Sequence, residues 1–248
     1  MPVFYLRRLT GARRTQRGNR HLARYLAFIA GAVNAGGFLT LGHYTSHMSG
    51  VVAAMSDDLA TGRVRLFAIG VVSVASFFCG AVLTTLLIRM ARKRRMTSEY
   101  ALPLMMEALL LALFGAVGAR GPGWNLMAAI AFLCFAMGLQ NAVITKLSDA
   151  IIRTTHVTGM VTDSGILVGR WIMSRIFREQ RMKVADVRSL RLLASLVLLF
   201  FVGGVAGALG FERVGWEFLL PLAMALGVLA VVPVMDDLRT RGGNAAVS

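Results

Sequence analysis

Residues 45–50 read Thr-Ser-His-Met-Ser-Gly, and residues 154–159 repeat this stretch as Thr-Thr-His-Val-Thr-Gly. Three of the six positions are identical, and two more exchange Ser for Thr. Upstream of each copy, Gly31-Ala-Val-Asn-Ala35 matches Gly138-Leu-Gln-Asn-Ala142. Composition bias readily produces matches of Gly and Ala, but it does not place Asn and His at matched intervals. The chain therefore contains an internal repeat, with an offset of 107 to 109 residues.

This repeat lies in an unusually apolar chain. Of the 248 residues, 56% are hydrophobic and only 16% are charged, against about a quarter in soluble proteins. The sequence predicts an all-α integral membrane protein, because helices satisfy every backbone polar group in lipid. Disorder is excluded, and a nucleic-acid partner is not expected despite the formal charge of +15. Six segments approach the roughly 20 apolar residues that cross a bilayer; they are residues 25–42, 66–88, 101–119, 123–144, 192–211 and 214–235.

Lys and Arg are distributed unevenly around these segments. With the N-terminus placed in the cytoplasm, 23 of the 27 basic residues fall inside and 4 fall outside. Basic residues favour the cytoplasmic side, where they also contact anionic headgroups of the lipid bilayer. We therefore expect a multi-pass protein of the inner (plasma) membrane with both termini in the cytoplasm. The alternative, a signal peptide cleaved near Ala35, is disfavoured because the basic region before the first apolar segment is long.

Each repeat contains three apolar segments, and this odd number has a topological consequence. The second repeat must enter the membrane from the opposite side, so two inverted three-helix repeats are predicted, as in many secondary transporters. Residues 46–56 and 154–169 are too polar for ordinary spans and are predicted to be broken or re-entrant segments after the first helix of each repeat. The predicted parts are a basic cytoplasmic segment (1–21), a first repeat (22–119), a second repeat (120–235) with a basic cytoplasmic loop (170–191), and a short cytoplasmic tail (236–248).

These motifs resemble the YoaK-type family of bacterial multi-pass membrane proteins, which is named for a domain of unknown function. The resemblance covers about residues 22–235 and implies a fold and a bacterial inner-membrane location, without an activity. Two positions depart from the family pattern: Asn34 stands in place of an acidic residue, and Ser49-Gly50-Val51 replaces Thr-Gly-Asn. If a carboxylate at position 34 serves charge coupling, this chain lacks it. The segments that carry the resemblance are Val33-Asn34-Ala35-Gly36-Gly37-Phe38, His47-Met48-Ser49-Gly50, residues 138–142 and residues 154–159.

Polar residues in and beside the apolar segments are the candidates for a substrate or ion pathway. His47 and His156 form a matched pair that either exchanges protons and grips a substrate or ties each segment to a neighbouring helix. Asn34 and Asn141 either support a site or hold helices together. Glu107 lies well inside a span. It is either a proton carrier or counter-ion, or it forms a pair with His156 or with a basic residue at the inner membrane surface. The complete predicted set is Asn34, His47, Ser49, Gly50, Glu107, Asn141, Thr155, His156, Thr158 and Gly159.

A metal site is an alternative interpretation of the first repeat. His43 and His47 are four residues apart, so they would share a helix face, and Asp57 and Asp58 follow. The second repeat has no His that matches His43, and a third His or Cys ligand is missing nearby. We therefore expect no metal and no cofactor.

The favoured function is a secondary carrier or channel for a small solute, with a pseudo-symmetric site at the membrane centre. Two alternatives remain open. A membrane-embedded enzyme on lipid-linked substrates would use one His as a general base. A scaffold or partner subunit would depend on residues 170–191 and on neither His. We expect no enzymatic activity, and we expect a homodimer, since one bundle of six helices encloses little space.

Overall fold

A computed structural model describes residues 9–10, 15–118, 125–147, 154–176 and 184–245, and all regular structure within these ranges is helical. The all-α prediction is confirmed at this level. The helices are α1 (Gln16–Leu41), α2 (Met48–Ala60), α3 (Val64–Lys93), α4 (Ala101–Gly118), α5 (Leu126–Leu147), α6 (Val157–Ile176), α7 (Val184–Val214), the 3₁₀ turn Gly215–Phe218 and α8 (Leu219–Ala245).

Within the described ranges, five stretches are long and apolar enough to cross a membrane. Four of them are α1, α3, α4 and α5. The fifth, Asp186–Arg239, is 54 residues long, and the turn Gly215–Phe218 divides it into α7 and α8. Gly215 has a positive φ of 61°, a backbone conformation that favours glycine, so the chain breaks the helix there. The predicted segment 192–211 lies within α7, and the predicted segment 214–235 begins at the last residue of α7 and covers the turn and the first part of α8.

Several helices extend beyond the apolar segments that predicted them. Helix α1 begins at Gln16, nine residues before the predicted position 25, because Thr15 caps it by accepting a hydrogen bond from the Gly18 N–H (3.1 Å). The helix ends at Leu41, because the next residue, Gly42, adopts the left-handed conformation (φ 66°) and caps it. Apolarity predicts only the part of a helix that lies in hydrocarbon, so the polar first turns of α1 were missed.

The helices pack in matched pairs. Helix α1 packs against α7, and α5 packs against α3. Helix α2 packs against α3, and α6 packs against α7. The apolar windows of α1 and α5 are 67% and 61% buried, whereas that of α3 is 22% buried. The first helix of each repeat therefore lies at the centre of the bundle.

Two repeat-related pairs of glycines bring these central helices into backbone contact. A β-carbon on any of them would collide with a carbonyl oxygen of the opposing helix, so only glycine permits the observed approach. Close approach through small residues is the usual mode of helix packing in membranes. The pairs of glycine and opposing carbonyl are Gly31 with Phe200, Gly138 with Phe77, Gly203 with Phe28, and Gly80 with Phe135.

The outer faces of α3 and α7 carry exposed apolar stripes. Side chains recur every four residues, the spacing that places them on one helix face. The phenylalanines that begin the stripes, Phe78 and Phe201, are each 66% exposed. Such faces are unfavourable in water and fit contact with lipid tails. The stripes consist of Phe78, Val82 and Leu86 on α3, and Phe201, Val205 and Leu209 on α7.

The two predicted re-entrant segments are short connections followed by helices. Helix α2 has 13 residues and is about 20 Å long, too short to cross the roughly 30 Å of hydrocarbon. Helix α6 has 20 residues and runs to Ile176. The predicted basic cytoplasmic loop 170–191 overlaps the end of α6, which continues through Trp171 and Arg175; the Arg175 guanidinium lies 5.6 Å from the Trp171 ring centroid. The cytoplasmic position of this loop stays a prediction. Residues 177–183 of that loop lie outside the described residues.

Candidate functional site

The repeated motifs of both halves line one cavity of about 580 Å³. This volume lies within the 300–1,000 Å³ typical of small-molecule sites. Seven of the ten predicted site residues line it, and the exceptions are Gly50, Gly159 and Glu107. The lining consists of Asn34, Tyr44, Ser46, His47, Met48, Ser49, Phe77, Asn141, Thr145, Thr155, His156, Val157, Thr158 and Phe200.

Asn34 fixes the connection between α1 and α2. Its side-chain Oδ1 accepts hydrogen bonds from the backbone N–H groups of Thr45 and Ser46, each at 3.1 Å, and from the Ser46 hydroxyl at 3.0 Å. One amide oxygen thus satisfies two backbone donors in the connection between α1 and α2. Asn34 therefore anchors the connection that follows its own helix, and it also lines the cavity.

Asn141 repeats part of this arrangement in the second half. Its Oδ1 accepts a hydrogen bond from the hydroxyl of Thr155, which matches Ser46 in the repeat. Its Nδ2 donates to the carbonyl of Met137, one turn earlier in α5 (2.8 Å). Both asparagines therefore bind the residues that follow their own helix, at Thr45–Ser46 and at Thr155. Only Asn141 also donates a hydrogen bond to a backbone carbonyl of its own helix.

The histidine rings fold back over the glycines of their own motifs. His47 immediately precedes α2, and a β-carbon at Gly50 would collide with the His47 ring at Nδ1. His156 immediately precedes α6, and a β-carbon at Gly159 would collide with the His156 ring in the same way. Gly50 and Gly159 therefore leave room for the imidazole rings and do not line the cavity. This explains why a glycine follows the histidine by three residues in both copies of the motif.

Three aromatic side chains form the apolar wall of the cavity. Tyr44 stacks on Phe38 (ring centroids 4.4 Å apart) and meets His47 edge-on (6.2 Å). Phe77 of α3 and Phe200 of α7 also line it. Sequence reasoning missed Phe77 and Phe200. The sequence does contain a signal for them. Phe77 is followed by Gly80 and Phe200 by Gly203, three residues later in each case, and the two Phe-x-x-Gly pairs are 123 residues apart.

An apolar cleft of about 470 Å³ adjoins the cavity between α1 and α7. It shares four lining residues with the cavity, so the two spaces are neighbours. The shared residues are Asn34, Tyr44, Val157 and Phe200, and the remaining lining consists of Gly31, Ala35, Val197, Phe201, Gly204, Val205 and Ala208.

Glu107 lies away from the cavity, in the interior of α4. Its side chain is fully buried, and neither carboxylate oxygen has a hydrogen-bond partner among the described residues. The predicted pairing with His156 is not seen, because His156 lines the cavity and makes no such bond. Gln140 of α5 is likewise fully buried, and neither of its amide atoms has a hydrogen-bond partner in the described part of the chain.

The geometry around His43 differs from a metal site. The His43 Nε2 lies 3.0 Å from the hydroxyl of Ser73 on α3. Asp58 is engaged in an ion pair with Arg63 (2.9 Å). Within the described ranges, no three His, Cys, Asp or Glu side chains are grouped to hold a metal ion.

Comparison with known proteins agrees with the motifs. Residues 22–232 match the family described as a protein of unknown function, DUF1275. The chain is 28% identical over 214 residues to the UPF0700 transmembrane protein YoaK of Bacillus subtilis, covering 84% of this chain and 91% of that protein. No solved structure matches the chain. The resemblance drawn from the motifs is thereby confirmed.

Proposed function

We propose that this chain, which belongs to the DUF1275 family of membrane proteins, is a secondary carrier or channel for a small solute. One observation carries the proposal: matched motifs from both halves of the chain line a single cavity. A site shared between two repeats is the arrangement in which rocking one repeat against the other opens the site to alternate sides. The substrate pathway in this proposal runs through Asn34, His47, Ser49 and their counterparts.

The matched packing supports an inverted pair of repeats with six spans. If α1, α2, α3 and α4 correspond to α5, α6, α7 and α8, the contact of α1 with α7 becomes that of α5 with α3. The same exchange converts the contact of α2 with α3 into that of α6 with α7, and it leaves the contacts of α1 with α5 and of α4 with α8 unchanged. A two-fold relation between the halves produces this pattern of exchanged and self-paired contacts.

The correspondence extends to single atoms. Gly31 meets the carbonyl of Phe200, and its counterpart Gly138 meets that of Phe77. One polar contact follows the same rule: the Thr84 hydroxyl donates to the carbonyl of Leu139 (3.1 Å). At the matching position, Gly207 packs on the carbonyl of Ala32.

In our proposal, the protein lies in a bacterial inner membrane, and the uneven distribution of Lys and Arg places both termini in the cytoplasm.

Alternating access can be tested with single cysteines. Only Cys79 needs replacing, because Cys134 is fully buried. Ser49→Cys and Thr158→Cys are introduced one at a time, and right-side-out and inverted vesicles are treated with a membrane-impermeant thiol reagent. A carrier predicts that each position reacts from both sides, since each lines the common cavity.

A matched control is Ser174→Cys on the exposed part of α6. It should react from one side only, whatever the cavity does. Labelling of Ser49→Cys from one side and of Thr158→Cys from the other side only would describe two separate surface sites, and the carrier proposal would then fail.

A further inference from the structure

A second space lies at the side of the bundle, between α1, α7 and α8. It is a groove of about 900 Å³, and its described lining shares no residue with the central cavity or the adjoining cleft. Apart from His21 and Arg24, the side chains that line it are apolar or aromatic. The groove opens sideways, since Met224 and Val228 on α8 are 65% and 57% exposed. In a bilayer, lipid therefore has direct access to it.

The polar side chains of the groove lie nearer the start of α1 than the apolar ones do. His21 and Arg24 are followed on this helix by aromatic and aliphatic residues up to Ile29, so the lined part of α1 is about 12 Å long. Arg24 directly precedes the apolar segment 25–42, and the next residue is a tyrosine. Arginine and tyrosine at the edge of an apolar segment mark the depth of the lipid headgroups. The groove thus has a cationic end at that depth and an apolar remainder, which is the polarity of a phospholipid.

Ser195 of α7 orients the guanidinium of Arg24. The Arg24 Nε donates to the Ser195 hydroxyl (2.9 Å), which itself donates to the carbonyl of Leu192 (2.7 Å). In the part of the chain that the structure describes, no carboxylate pairs with Arg24. Its two terminal nitrogens carry four of the five guanidinium donors, and these bind phosphate oxygens in pairs. The residue is therefore fixed at Nε and presents its phosphate-binding edge.

The second repeat shows that this polar pair is not needed to pack the helices. The glycine contacts between α1 and α7 recur between α5 and α3. The counterpart of Arg24, at an offset of 107, is Ala131. The counterpart of Ser195, at the offset of 123 that relates α3 to α7, is Val72. Two apolar residues thus suffice for packing, and the Arg24–Ser195 pair serves a purpose that only the first repeat has.

Two further arginines lie on the same face of α1. Arg17 and Arg20 precede Arg24 by seven and four residues, spacings that place all three on one side of a helix. The described lining of the groove contains no Asp or Glu that would offset their charge. A zwitterionic lipid would bring its ammonium group toward these guanidinium groups, whereas an anionic lipid does not. Charge complementarity therefore favours an anionic headgroup.

We propose that this groove binds one anionic phospholipid. Its phosphate accepts hydrogen bonds from the Arg24 guanidinium, and the first part of an acyl chain lies along Phe28, Met224 and Val228. Basic pockets between spanning helices on the cytoplasmic side bind anionic headgroups, and the distribution of basic residues predicts that side for the start of α1. This lipid site is independent of the proposed carrier function, because the groove and the cavity have separate described linings.

Native mass spectrometry of the full chain in detergent tests the proposal by counting bound lipids. The probes are dioleoylphosphatidylglycerol and dioleoylphosphatidylcholine, which have the same acyl chains and differ in headgroup charge. One phosphatidylglycerol molecule should bind at least about fivefold more tightly than phosphatidylcholine. Equal binding of the two lipids would overturn the proposal. Displacement of the lipid by excess inorganic phosphate would also overturn it, since the site would then be one for a soluble anion.

Substitutions of Arg24 isolate the contribution of its charge. Arg24→Gln keeps an amide that can donate to Ser195 but removes the charge, and it should lower the preference for phosphatidylglycerol about fivefold. Arg24→Lys keeps the charge and should retain most of the preference. Arg89→Gln is the matched control, because Arg89 is exposed near the end of α3 and does not line the groove. Equal losses in both glutamine variants would contradict the proposal, and melting temperatures without added lipid verify that each variant is folded.

A bulky side chain in the groove tests where the acyl chain lies. Val228→Trp should abolish the binding of phosphatidylglycerol by filling the groove. Leu113→Trp on α4 adds the same side chain at a position of equal exposure (56% against 57%) outside the groove, and it should bind the lipid normally. Lipid binding that survives Val228→Trp would refute the proposal. If that variant instead dissociates a dimer and leaves lipid binding unchanged, the occupant of the groove is a second copy of the chain.

Discussion

The imidazole of His47 folds back over Gly50, three residues further along the chain, and occupies the space that a side chain at position 50 would need. His156 and Gly159 show the same relationship at the start of α6. The glycine of each motif thereby determines where its histidine lies.

Gly50→Ala and Gly159→Ala are expected to displace the neighbouring imidazole ring. Because a ring can rotate away more easily than backbone can move, we expect a loss of only about 1 kcal/mol in unfolding free energy. The NMR signals of the displaced histidine should shift. Gly165→Ala is the control, since nothing lies within 4 Å of its β-carbon, and it should stabilise α6 by about 0.5–1 kcal/mol. Unchanged histidine signals in both Gly50→Ala and Gly159→Ala would contradict the contact between each imidazole ring and its glycine.

Gly31→Ala and Gly138→Ala are expected to separate the central helices. Here the β-carbon meets backbone carbonyls of Phe200 and Phe77, which cannot rotate away. Overpacking of this kind costs about 1–3 kcal/mol, measurable as a lower melting temperature in detergent. Gly227→Ala on α8 has open space around the new methyl group and should not destabilise the protein. If all three variants melt alike, the close approach of α1 to α7 is wrong.

Asn34→Leu should destabilise the protein more than Asn141→Leu. The first change leaves the Thr45 and Ser46 N–H groups without an acceptor, and each unpaired buried donor costs about 1–3 kcal/mol. The second removes bonds to a hydroxyl and to a carbonyl of its own helix. Chemical unfolding of the two variants in the same detergent compares them directly, and equal losses would mean that Asn34 does not carry the α1–α2 connection.

Glu107→Gln should preserve stability to within about 1 kcal/mol, because no described residue hydrogen bonds to the buried carboxylate. Glu107→Met should be neutral or stabilising for the same reason, since a buried polar group without partners contributes little. Thermal unfolding measures both changes. A loss above about 3 kcal/mol in both variants would reveal a stabilising partner of Glu107.

The apolar segments were sufficient to predict an all-helical membrane protein, and the internal repeat was sufficient to predict seven of the fourteen residues that line the cavity. Hydropathy reports the apolar part of a helix, which is why the polar starts of α1 and α7 lie outside the predicted segments. Whether a helix turns back into the bundle depends on caps such as Gly42 and Gly215, whose positive φ is not visible in hydropathy.

The aromatic wall and the roles of the glycines were harder to predict. Phe77 and Phe200 resemble the many lipid-facing residues of their helices, and only the packing of α3 on α5 and of α7 on α1 turns them toward the cavity. Gly50 and Gly159 were predicted as site residues because they recur with the histidines. In the structure these glycines leave the space that the imidazole rings of His47 and His156 occupy.

The packing of α1 against α7 has a consequence for biosynthesis. Helix α1 leaves the ribosome well before α7, its main partner, which begins at residue 184. At ordinary translation speeds, on the order of 10 s separates the emergence of the two. During that interval the glycine face of α1, which includes Gly31, lacks the backbone of α7 that it finally packs against, so the insertion machinery or lipid must cover it. The most central helix of the finished protein is thus the one that waits longest for its partner.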